Sequence, residues 1–282
     1  MTIGSGTERD SAGVSLAPLT RCVNAAAGWA VMLVSPPRRP LGILTIDLHR
    51  IAVVAIGLLV AVIATMAWID ARAMAWQDGI PPGVVWLFEE ITDFGRSGWV
   101  LVPSAVLMLL IAAVNSPALG RVSNLVLTAV VVRLGFIFLA VGLPGLLVTV
   151  IKRLIGRVRP SDLGPFAYYP FSWKATYASL PSGHTTTAFA ALLAIGLVWP
   201  RVRPALWVYA LVIGLSRVVV SAHYPSDVIA GAACGVLGAL LVRQWFAVRQ
   251  LGFVVGSDEQ IHALPGPSFR RIKGVVRRLL GQ

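Results

Sequence analysis

Residues 51–69 read IAVVAIGLLVAVIATMAWI, an apolar run without a single charged side chain. A helix rises about 1.5 Å per residue, so about 20 such residues cross a hydrocarbon core roughly 30 Å thick. A helix in the core of a soluble domain does not need an uninterrupted run of that length. The composition agrees, because 57% of the 282 residues are hydrophobic and only 13% are charged, whereas soluble domains carry about 25% charged residues. We therefore predict an integral membrane protein.

Five further apolar segments resemble this one, and together they predict how the chain is organised. The six candidate spans are 50–69, 98–115, 124–151, 185–200, 204–221 and 227–247. They predict an all-α, polytopic membrane protein built as a bundle of six transmembrane helices. We divide the chain into a flexible N-terminal segment at 1–42, a membrane domain at 43–248 and a basic tail at 249–282.

Three segments lie outside the predicted spans and need a separate interpretation. Residues 1–42 are expected to be irregular, because their apolar stretch at 25–34 is too short to span. Apolar side chains at helical spacing in 84–91 predict either a short interfacial helix or a solvated loop. The basic end at 270–278 is either a surface helix attracted to anionic lipids or a disordered topology anchor.

The formal net charge of +12 indicates how the chain is oriented in a membrane. Basic residues cluster before the first span, between the second and third, between the fourth and fifth, and after the sixth. These segments share one side of a six-span arrangement, which the positive-inside rule makes cytoplasmic, together with both termini. The loop at 152–184 lies on the other side and is basic against this rule, so we expect it to have a function. Because the basic groups flank apolar runs, we expect no nucleic acid partner.

A first motif stands just after the third span, where Lys152 is followed six residues later by Arg159 and Pro160. An ammonium group and a guanidinium group together suit a dianionic phosphate. Snorkelling anchors at a helix end would produce the same pair of residues. The motif alone therefore leaves both interpretations open.

A second motif, Pro-Ser-Gly-His at 181–184, stands immediately before the fourth span. A helix that begins here would direct free backbone N–H groups at an anion, and Gly183 would allow a close approach. Ser182 adds a hydroxyl donor, and His184 adds a group that titrates near neutral pH. The alternative is a serine helix cap with an incidental histidine.

A third motif at the junction of the fifth and sixth spans contains Ser216, Arg217, His223 and Asp227. An arginine near a membrane span is costly unless it pairs with an anion, so Arg217 is a functional candidate. Asp227 can accept a hydrogen bond from one ring nitrogen of His223, which leaves the other nitrogen nucleophilic. An ordinary surface pair would show the same His-x-x-x-Asp spacing.

The order of spans and motifs predicts that all three motifs share one side of the membrane. The first two bracket a single loop, and two crossings return the chain to the same side at the third. Unrelated residues would meet there only by accident. We therefore expect a single site.

Taken together, Lys-x6-Arg-Pro at 152–160, Pro-Ser-Gly-His at 181–184 and Ser-Arg-x5-His-x3-Asp at 216–227 resemble the signature of the type-2 phosphatidic acid phosphatase superfamily. The resemblance implies the six-transmembrane-helix bundle of that superfamily. It also implies a phosphatase that needs neither a metal nor a cofactor. No carboxylate cluster or Cys/His spacing in the sequence suggests a catalytic metal.

The resemblance implies a role for each residue that matches the signature. Five residues would bind the phosphate: Lys152, Arg159, Ser182, Gly183 and Arg217. His223 would attack phosphorus, Asp227 would hold His223, and His184 would protonate the leaving alkoxide. Water would then hydrolyse the phosphohistidine.

We therefore predict an integral membrane lipid phosphatase whose site lies on the periplasmic face of a bacterial inner membrane. Its partners would be the bilayer and a lipid phosphate, with no obligate protein partner. Phosphatidylglycerophosphate, undecaprenyl diphosphate, phosphatidate and lipid A phosphates all remain open as substrates. The alternatives are a lipid phosphotransferase that uses the same site and a non-catalytic protein that binds or transports anionic lipid.

Four further basic residues have weaker interpretations. Arg153, Arg157 and Lys174 could hold an anionic headgroup, although solvated loop charges are the favoured interpretation. Arg133 lies within the third span, where we expect it to be displaced toward the cytoplasmic interface.

Overall fold

A computed structural model describes residues 17–38, 48–115, 119–161 and 163–279, so parts of the predicted N-terminal segment, 1–16 and 39–42, lie outside the described residues. The helices of the described ranges are α1 (Ala17–Val34), α2 (Leu48–Trp68), α3 (Asp70–Gln77), α4 (Pro82–Asp93), α5 (Gly98–Val114), α6 (Arg121–Ile155), α7 (Gly183–Val198), α8 (Arg203–Val219), α9 (Pro225–Val248) and α10 (Phe269–Leu279). Two short 3₁₀ turns are Ala175–Tyr177 and Pro200–Val202. Between α9 and α10, the strands β1 (Phe253–Val255) and β2 (Ile261–Ala263) form an antiparallel pair. Apart from this short hairpin the regular elements are helical, and the predicted all-α membrane fold is confirmed.

Helices α2, α5, α6, α7, α8 and α9 stand where the six spans are predicted. By length and apolarity, four described helical stretches qualify as membrane spans: Pro82–Val114, Arg121–Ile155, Pro200–Val219 and Pro225–Val248. The pair of α2 and α3 qualifies as a fifth if its bend of 49° is placed within one span. Helix α7 is apolar but has only 16 residues. The predicted number of six is therefore approximate.

The short helix α7 occupies the centre of the bundle. It packs against α6, α8 and α9, and Ala188, Ala190 and Ala194 on it are completely shielded. A helix that is apolar on all sides is typical of such a buried position. Because protein rather than lipid surrounds α7, it does not need the length of a lipid-exposed span.

Glycines let α9 approach α7 more closely than side chains would allow. A Cβ atom on Gly231 would lie 2.5 Å from the carbonyl oxygen of Ser182, and one on Gly235 would lie 2.4 Å from that of Thr186. Both distances are far inside van der Waals contact, so a larger residue would separate the helices. Small residues at this spacing are a common device for packing transmembrane helices. The contact holds the first turns of α7 and α9 side by side.

The direction of the helices places the three motifs at one end of the bundle. Helices α6 and α8 end there, while α7 and α9 begin there. This end is named the motif face, and the other end the opposite face. With 35 residues, α6 is about 52 Å long, so it extends beyond a hydrocarbon core of roughly 30 Å.

The expectation of an irregular N-terminal segment is wrong for Ala17–Val34, which form α1. Arg21 Nη1 donates to the carbonyl oxygen of Ala113 at 3.2 Å, and Trp245 Nε1 donates to that of Leu33 at 3.1 Å. Both contacts lie at the ends of α5 and α9, so α1 lies near the opposite face. Packing against α5 stabilises a helix that its own sequence pattern signals only weakly.

The basic tail packs onto the bundle through two elements. Phe253 and Val255 of β1 are buried in the apolar core of the bundle. Val275 of α10 is buried against Val126 and Leu127 of α6. The basic end is therefore a helix with its apolar side on α6, and the disordered alternative is wrong. Its attraction to anionic lipids stays a prediction. The boundaries of the three predicted parts of the chain stay a prediction.

Arg133 within α6 holds this tail against the bundle. Its Nη2 donates to the carbonyl oxygen of Leu264 at 2.7 Å, and its Nη1 donates to that of Ala129 at 2.8 Å. Carbonyl oxygens thus satisfy a guanidinium that would be costly in lipid.

The segment at 84–91 lies within α4, so it is helical and the loop interpretation is wrong. Its position at a membrane interface stays a prediction. Ile91 packs onto an apolar cluster that contains Leu192 of α7 and Ile213 of α8. This packing brings the end of α4 to the motif face.

Candidate active site

The three motifs meet at the motif face, as their order in the chain predicts. The backbone N–H of Ser182 donates to the backbone carbonyl of Asp227 at 3.0 Å, which joins the second motif to the third. A Cβ atom on Gly183 would lie 3.9 Å from Nζ of Lys152, which places the first motif beside the second. One face therefore holds all the predicted site residues.

Three cations converge at this point. Lys152, Arg159 and Arg217 are partly or fully buried and lie close enough to repel one another. Arg217 Nη1 donates to Oγ1 of Thr92 at 2.7 Å, but within the described part of the chain the buried Nε atoms of Arg159 and Arg217 have no hydrogen-bond partner. Like charges held together in a partly buried place are unfavourable unless an anion binds among them. The arrangement is chemically suited to an anion such as phosphate.

The first turn of α7 lies beside the same three cations. The helix begins at Gly183, with Ser182 at its N-cap position. The free N–H groups and the positive end of the helix dipole favour an anion. The hydroxyl of the buried Ser182 accepts from Thr185 Oγ1 at 3.0 Å, so its own proton remains available as a donor.

His223 and Asp227 face each other beside this group. Nδ1 of His223 lies 3.5 Å from Oδ2 of Asp227, and the two residues are 3% and 0% exposed. The same oxygen accepts from Ser179 Oγ at 2.5 Å and from the backbone N–H of Tyr224 at 3.0 Å. Because Nδ1 faces the carboxylate, Nε2 is the ring nitrogen that can attack a substrate.

Burial keeps His223 in its neutral form. Burial lowers the pKa of His223, and although the carboxylate of Asp227 acts in the opposite direction, the pKa stays below the ordinary value of a histidine. The nearby cations Arg217 and Arg159 lower it further. An imidazole with a pKa below about 6.5 is neutral at pH 7, and only the neutral ring has the lone pair that a nucleophile requires.

Known proteins share the sequence of this region. Residues 133–251 match the PAP2 superfamily. Over 202 residues, the chain is 38% identical to the lipid A 1-phosphatase of Rhizobium johnstonii, with 70% of this chain and 82% of that protein covered. The chain belongs to the PAP2 superfamily. The lipid A 1-phosphatase of Rhizobium etli is also 38% identical over 202 residues, with 70% of this chain and 86% of that protein covered.

A solved PAP2 structure also resembles the chain. It is the crystal structure of the first transmembrane PAP2 type phosphatidylglycerolphosphate phosphatase from Bacillus subtilis, with a TM-score of 0.47, 22% identity, and coverage of 67% of this chain and 93% of that one. The family predicted from the three motifs is confirmed by the sequence match. The predicted class of enzyme, a membrane phosphatase that acts on lipid phosphates, is confirmed with it.

Arg157 of this PAP2 site is not the solvated loop charge that the sequence suggested. It is completely buried between two carboxylates that are themselves 0% exposed. Its Nη1 lies 2.6 Å from Oδ1 of Asp227, and its Nη2 lies 2.7 Å from Oδ2 of Asp70. The expectation was wrong because Asp70 lies 87 positions earlier in the chain, a separation at which no local pattern indicates a contact.

Two residues between the first two predicted spans also support the PAP2 site. Oγ1 of Thr92 accepts from Ser216 Oγ at 3.0 Å, and Nε2 of Gln77 donates to the carbonyl oxygen of Val218 at 2.6 Å. They tie α3 and α4 to the end of α8. Neither residue belongs to a motif, so only their polarity beside apolar runs could have drawn attention to them.

The two other basic residues of the loop, Arg153 and Lys174, differ in their exposure to solvent. Arg153 is half-buried, and its Nη1 donates to the carbonyl oxygen of Trp173 at 2.5 Å, which fastens the loop to α6. Lys174 is exposed, as expected for a solvated loop charge.

A cavity of about 410 Å³ begins at Gly183 and His184 and continues between α5 and α6. Most of its lining along α5 and α6 is apolar or small: Leu101, Val141, Gly142, Gly145, Leu146 and Thr149. The polar end of the cavity is therefore at the motif face, and its apolar part lies among the membrane helices.

Proposed function

We propose that this PAP2 phosphatase removes a phosphate from a lipid of the lipid A class in two steps, through a phosphohistidine at His223. The observation that carries the proposal is the buried His223, which faces Asp227 and lies beside three converging cations. A nucleophile, a residue that orients it and an anion site are the parts that metal-independent phosphoryl transfer requires.

In the first step, Nε2 of His223 attacks phosphorus and forms an N–P bond, while the bond between phosphorus and the lipid oxygen breaks. His184 donates a proton to that oxygen, so the lipid leaves as an alcohol. The position of His184 supports this role, because it follows Gly183 in the chain and lines the same cavity. The negative charge of a bound phosphate favours the protonated form of His184 before the step.

In the second step, a water oxygen attacks phosphorus and the N–P bond breaks. His184 now accepts the proton of the water, since it gave up its own proton in the first step. Inorganic phosphate leaves, and His223 returns to its neutral form. The two histidines thereby supply both proton transfers and the covalent intermediate.

The phosphate oxygens would be held by five groups: Lys152, Arg159, Ser182, Gly183 and Arg217. Positive charge placed in advance around the equatorial oxygens stabilises the charge that develops in the transition state. We therefore expect turnover without a metal or a cofactor. In the described ranges, no group of three or more His, Cys, Asp or Glu side chains could hold a metal ion.

The lipid portion of the substrate would enter the cavity beside His184. The leaving oxygen connects the phosphate to the lipid, so the acid that protonates it must stand between the anion site and the lipid. His184 lines the cavity at its polar end, which fits that position. The apolar lining toward α5 and α6 suits the hydrophobic part of a lipid.

The substrate class rests on the relatives. Identity of 38% to lipid A 1-phosphatases, over more than four fifths of their length, supports a lipid A phosphate. The other candidates are phosphatidylglycerophosphate, undecaprenyl diphosphate and phosphatidate, which also present a phosphate to this site.

Detergent-purified protein is expected to release phosphate from lipid A in excess EDTA, with kcat/KM at least about tenfold above that of the other three lipids. The measurement is inorganic phosphate against time for the four lipids, with and without EDTA. Loss of turnover in EDTA that added Mg²⁺ restores would contradict the metal-free mechanism. A higher kcat/KM for another lipid would replace the substrate class and leave the mechanism intact.

We also propose that the motif face is periplasmic in a bacterial inner membrane. The basic residues at the opposite face, on α10 and at Arg201 and Arg203, support this orientation. Alkaline phosphatase fused after Gly164 is therefore expected to be active in intact cells, and the same enzyme fused after the last residue is expected to be inactive. The reverse pattern would contradict the orientation without affecting the chemistry.

A further inference from the structure

Every N–H group of Arg157 is used by an acceptor within the protein. Nη1 donates to Oδ1 of Asp227 at 2.6 Å and to Oγ of Ser226 at 2.7 Å. Nη2 donates to Oδ2 of Asp70 at 2.7 Å and to the carbonyl oxygen of Pro165 at 2.9 Å, and Nε donates to the same carbonyl at 3.1 Å. A guanidinium has five N–H donors, so none remains for a substrate. Arg157 therefore acts through its neighbours.

The two oxygens of the Asp227 carboxylate have separate partners. Oδ1 accepts from Arg157, whereas Oδ2 faces Nδ1 of His223 and accepts from Ser179. A carboxylate held at both oxygens cannot rotate about its Cβ–Cγ bond without breaking charge-assisted hydrogen bonds. Arg157 thus fixes which oxygen faces the histidine.

Asp70, at the junction between α2 and α3, forms one buried group with Arg157 and Asp227. Its Oδ1 accepts from the backbone N–H of Ser226 at 3.1 Å, and its Oδ2 accepts from Oγ of Ser226 at 2.6 Å. A carboxylate at the first turn of α9 also has a favourable interaction with the helix dipole. Asp70 therefore holds Arg157 from one side and the start of α9 from the other.

The group keeps its charges although it is buried. Burial alone would lower the pKa of Arg157, but the carboxylates of Asp227 and Asp70 outweigh burial and raise it. The guanidinium also lies 4.3 Å from the centre of the Tyr224 ring, which adds a cation–π contact. Without the guanidinium, two buried carboxylates would stand close together and would hold a proton between them.

We infer that Arg157 and Asp70 are positioning residues, which keep the Asp227 carboxylate ionised and turned toward His223. The inference rests on the proposed role of His223 as the nucleophile. It assigns Arg157 to the orientation of the nucleophile, and not to phosphate binding. Removal of Arg157 should therefore affect kcat and leave KM nearly unchanged.

Arg157→Gln is expected to lower kcat at pH 7 by about 100-fold, with KM within about threefold of the parent. Its kcat should recover as the pH rises, because alkaline pH ionises Asp227 without the help of the guanidinium. The measurement is the pH dependence of kcat and KM for lipid phosphate hydrolysis by the full chain in detergent. Arg201→Gln, an exposed arginine at the opposite face, is the matched control and should keep the parent values.

Adding Asp70→Asn to Arg157→Gln is expected to raise kcat about tenfold above that of Arg157→Gln alone. The double variant has one buried carboxylate instead of two, so Asp227 can ionise again. If both residues had only a structural role, the double variant would have a lower kcat than Arg157→Gln, because the second substitution removes further hydrogen bonds. Size-exclusion chromatography and thermal unfolding establish that each variant is folded.

The inference is overturned by a kcat of Arg157→Gln within threefold of the parent, by a loss confined to KM, or by a double variant no faster than the single one. If Arg157→Gln does not fold, the isosteric Asp70→Asn variant alone decides, with an expected loss in kcat of about tenfold at constant KM. His223→Asn in the same assay separates the two proposals. Turnover by His223→Asn would contradict the proposed function, whereas its loss together with a failed Arg157 test would contradict only this inference.

Discussion

Replacing His223 by asparagine is expected to lower phosphate release by about 10⁴-fold or more, because the substitution removes the proposed nucleophile. An amide has no basic ring nitrogen, so neither step of the proposed reaction can occur. The assay is phosphate release from the preferred lipid by purified protein in excess EDTA.

The chain offers a matched control for this substitution. His262 pairs with Asp258 at 2.9 Å across four positions of the chain, but the two side chains are 55% and 52% exposed. His262→Asn removes a histidine from a pair of the same residue types outside the motif face and should leave turnover unchanged. Turnover by His223→Asn within tenfold of the parent would show that His223 is not the nucleophile.

The same variant decides whether the intermediate is a phosphohistidine. Brief incubation of the parent with a lipid labelled in its phosphate, followed by denaturation, should leave label bound to the protein in a form that acid releases and alkali does not. His223→Asn should bind no label under the same conditions. Equal labelling of parent and variant would place the phosphoryl group on another residue.

Asp227→Asn is expected to have the second largest effect, a loss in kcat of about 10³- to 10⁴-fold. The amide can present its NH₂ group to Nδ1 of His223, which favours the proton on Nε2 and blocks the attacking nitrogen. It also removes the charge that pairs with Arg157 at 2.6 Å. The measurement is kcat and KM across the pH range, with KM expected to change little.

Asp258→Asn is the corresponding control, since Asp258 is exposed and its partner His262 lies in the tail. A loss smaller than about tenfold for Asp227→Asn would show that His223 needs no carboxylate to orient it. Thermal unfolding of the variant is required, because Asp227 also accepts from the backbone of Tyr224 at the start of α9. A folded variant with low kcat supports the proposed role.

The family and the common face of the three motifs could be predicted because both depend on properties of the linear chain. The length of apolar runs is set by bilayer thickness, and the side on which a loop falls is set by the number of crossings before it. Lys152, the Pro-Ser-Gly-His segment and His223 therefore could be placed together without coordinates. Their chemistry follows from residue type alone, since cations attract phosphate and an imidazole can attack it.

Arg157 shows why other parts of the site could not be predicted. It stands two positions before Arg159 in the same loop, yet Arg157 donates to two buried carboxylates, whereas the Nε of Arg159 has no hydrogen-bond partner among the described residues. The local sequence around an arginine does not reveal whether its side chain is buried or solvated. Only the folded loop determines which of them meets Asp70 and Asp227.

The helix α1 was missed for a related reason. Helix formation in a segment with weak periodicity depends on the surfaces that it packs against, and here these are the ends of α5 and α9. Apolar length, the order of crossings and the identity of reactive groups are properties of the chain itself, and they determined the membrane fold, the family and the shared face. Burial and the choice of partners for each charge depend on contacts between distant segments, so only the tertiary structure decided that Asp70 and Arg157 stand behind Asp227.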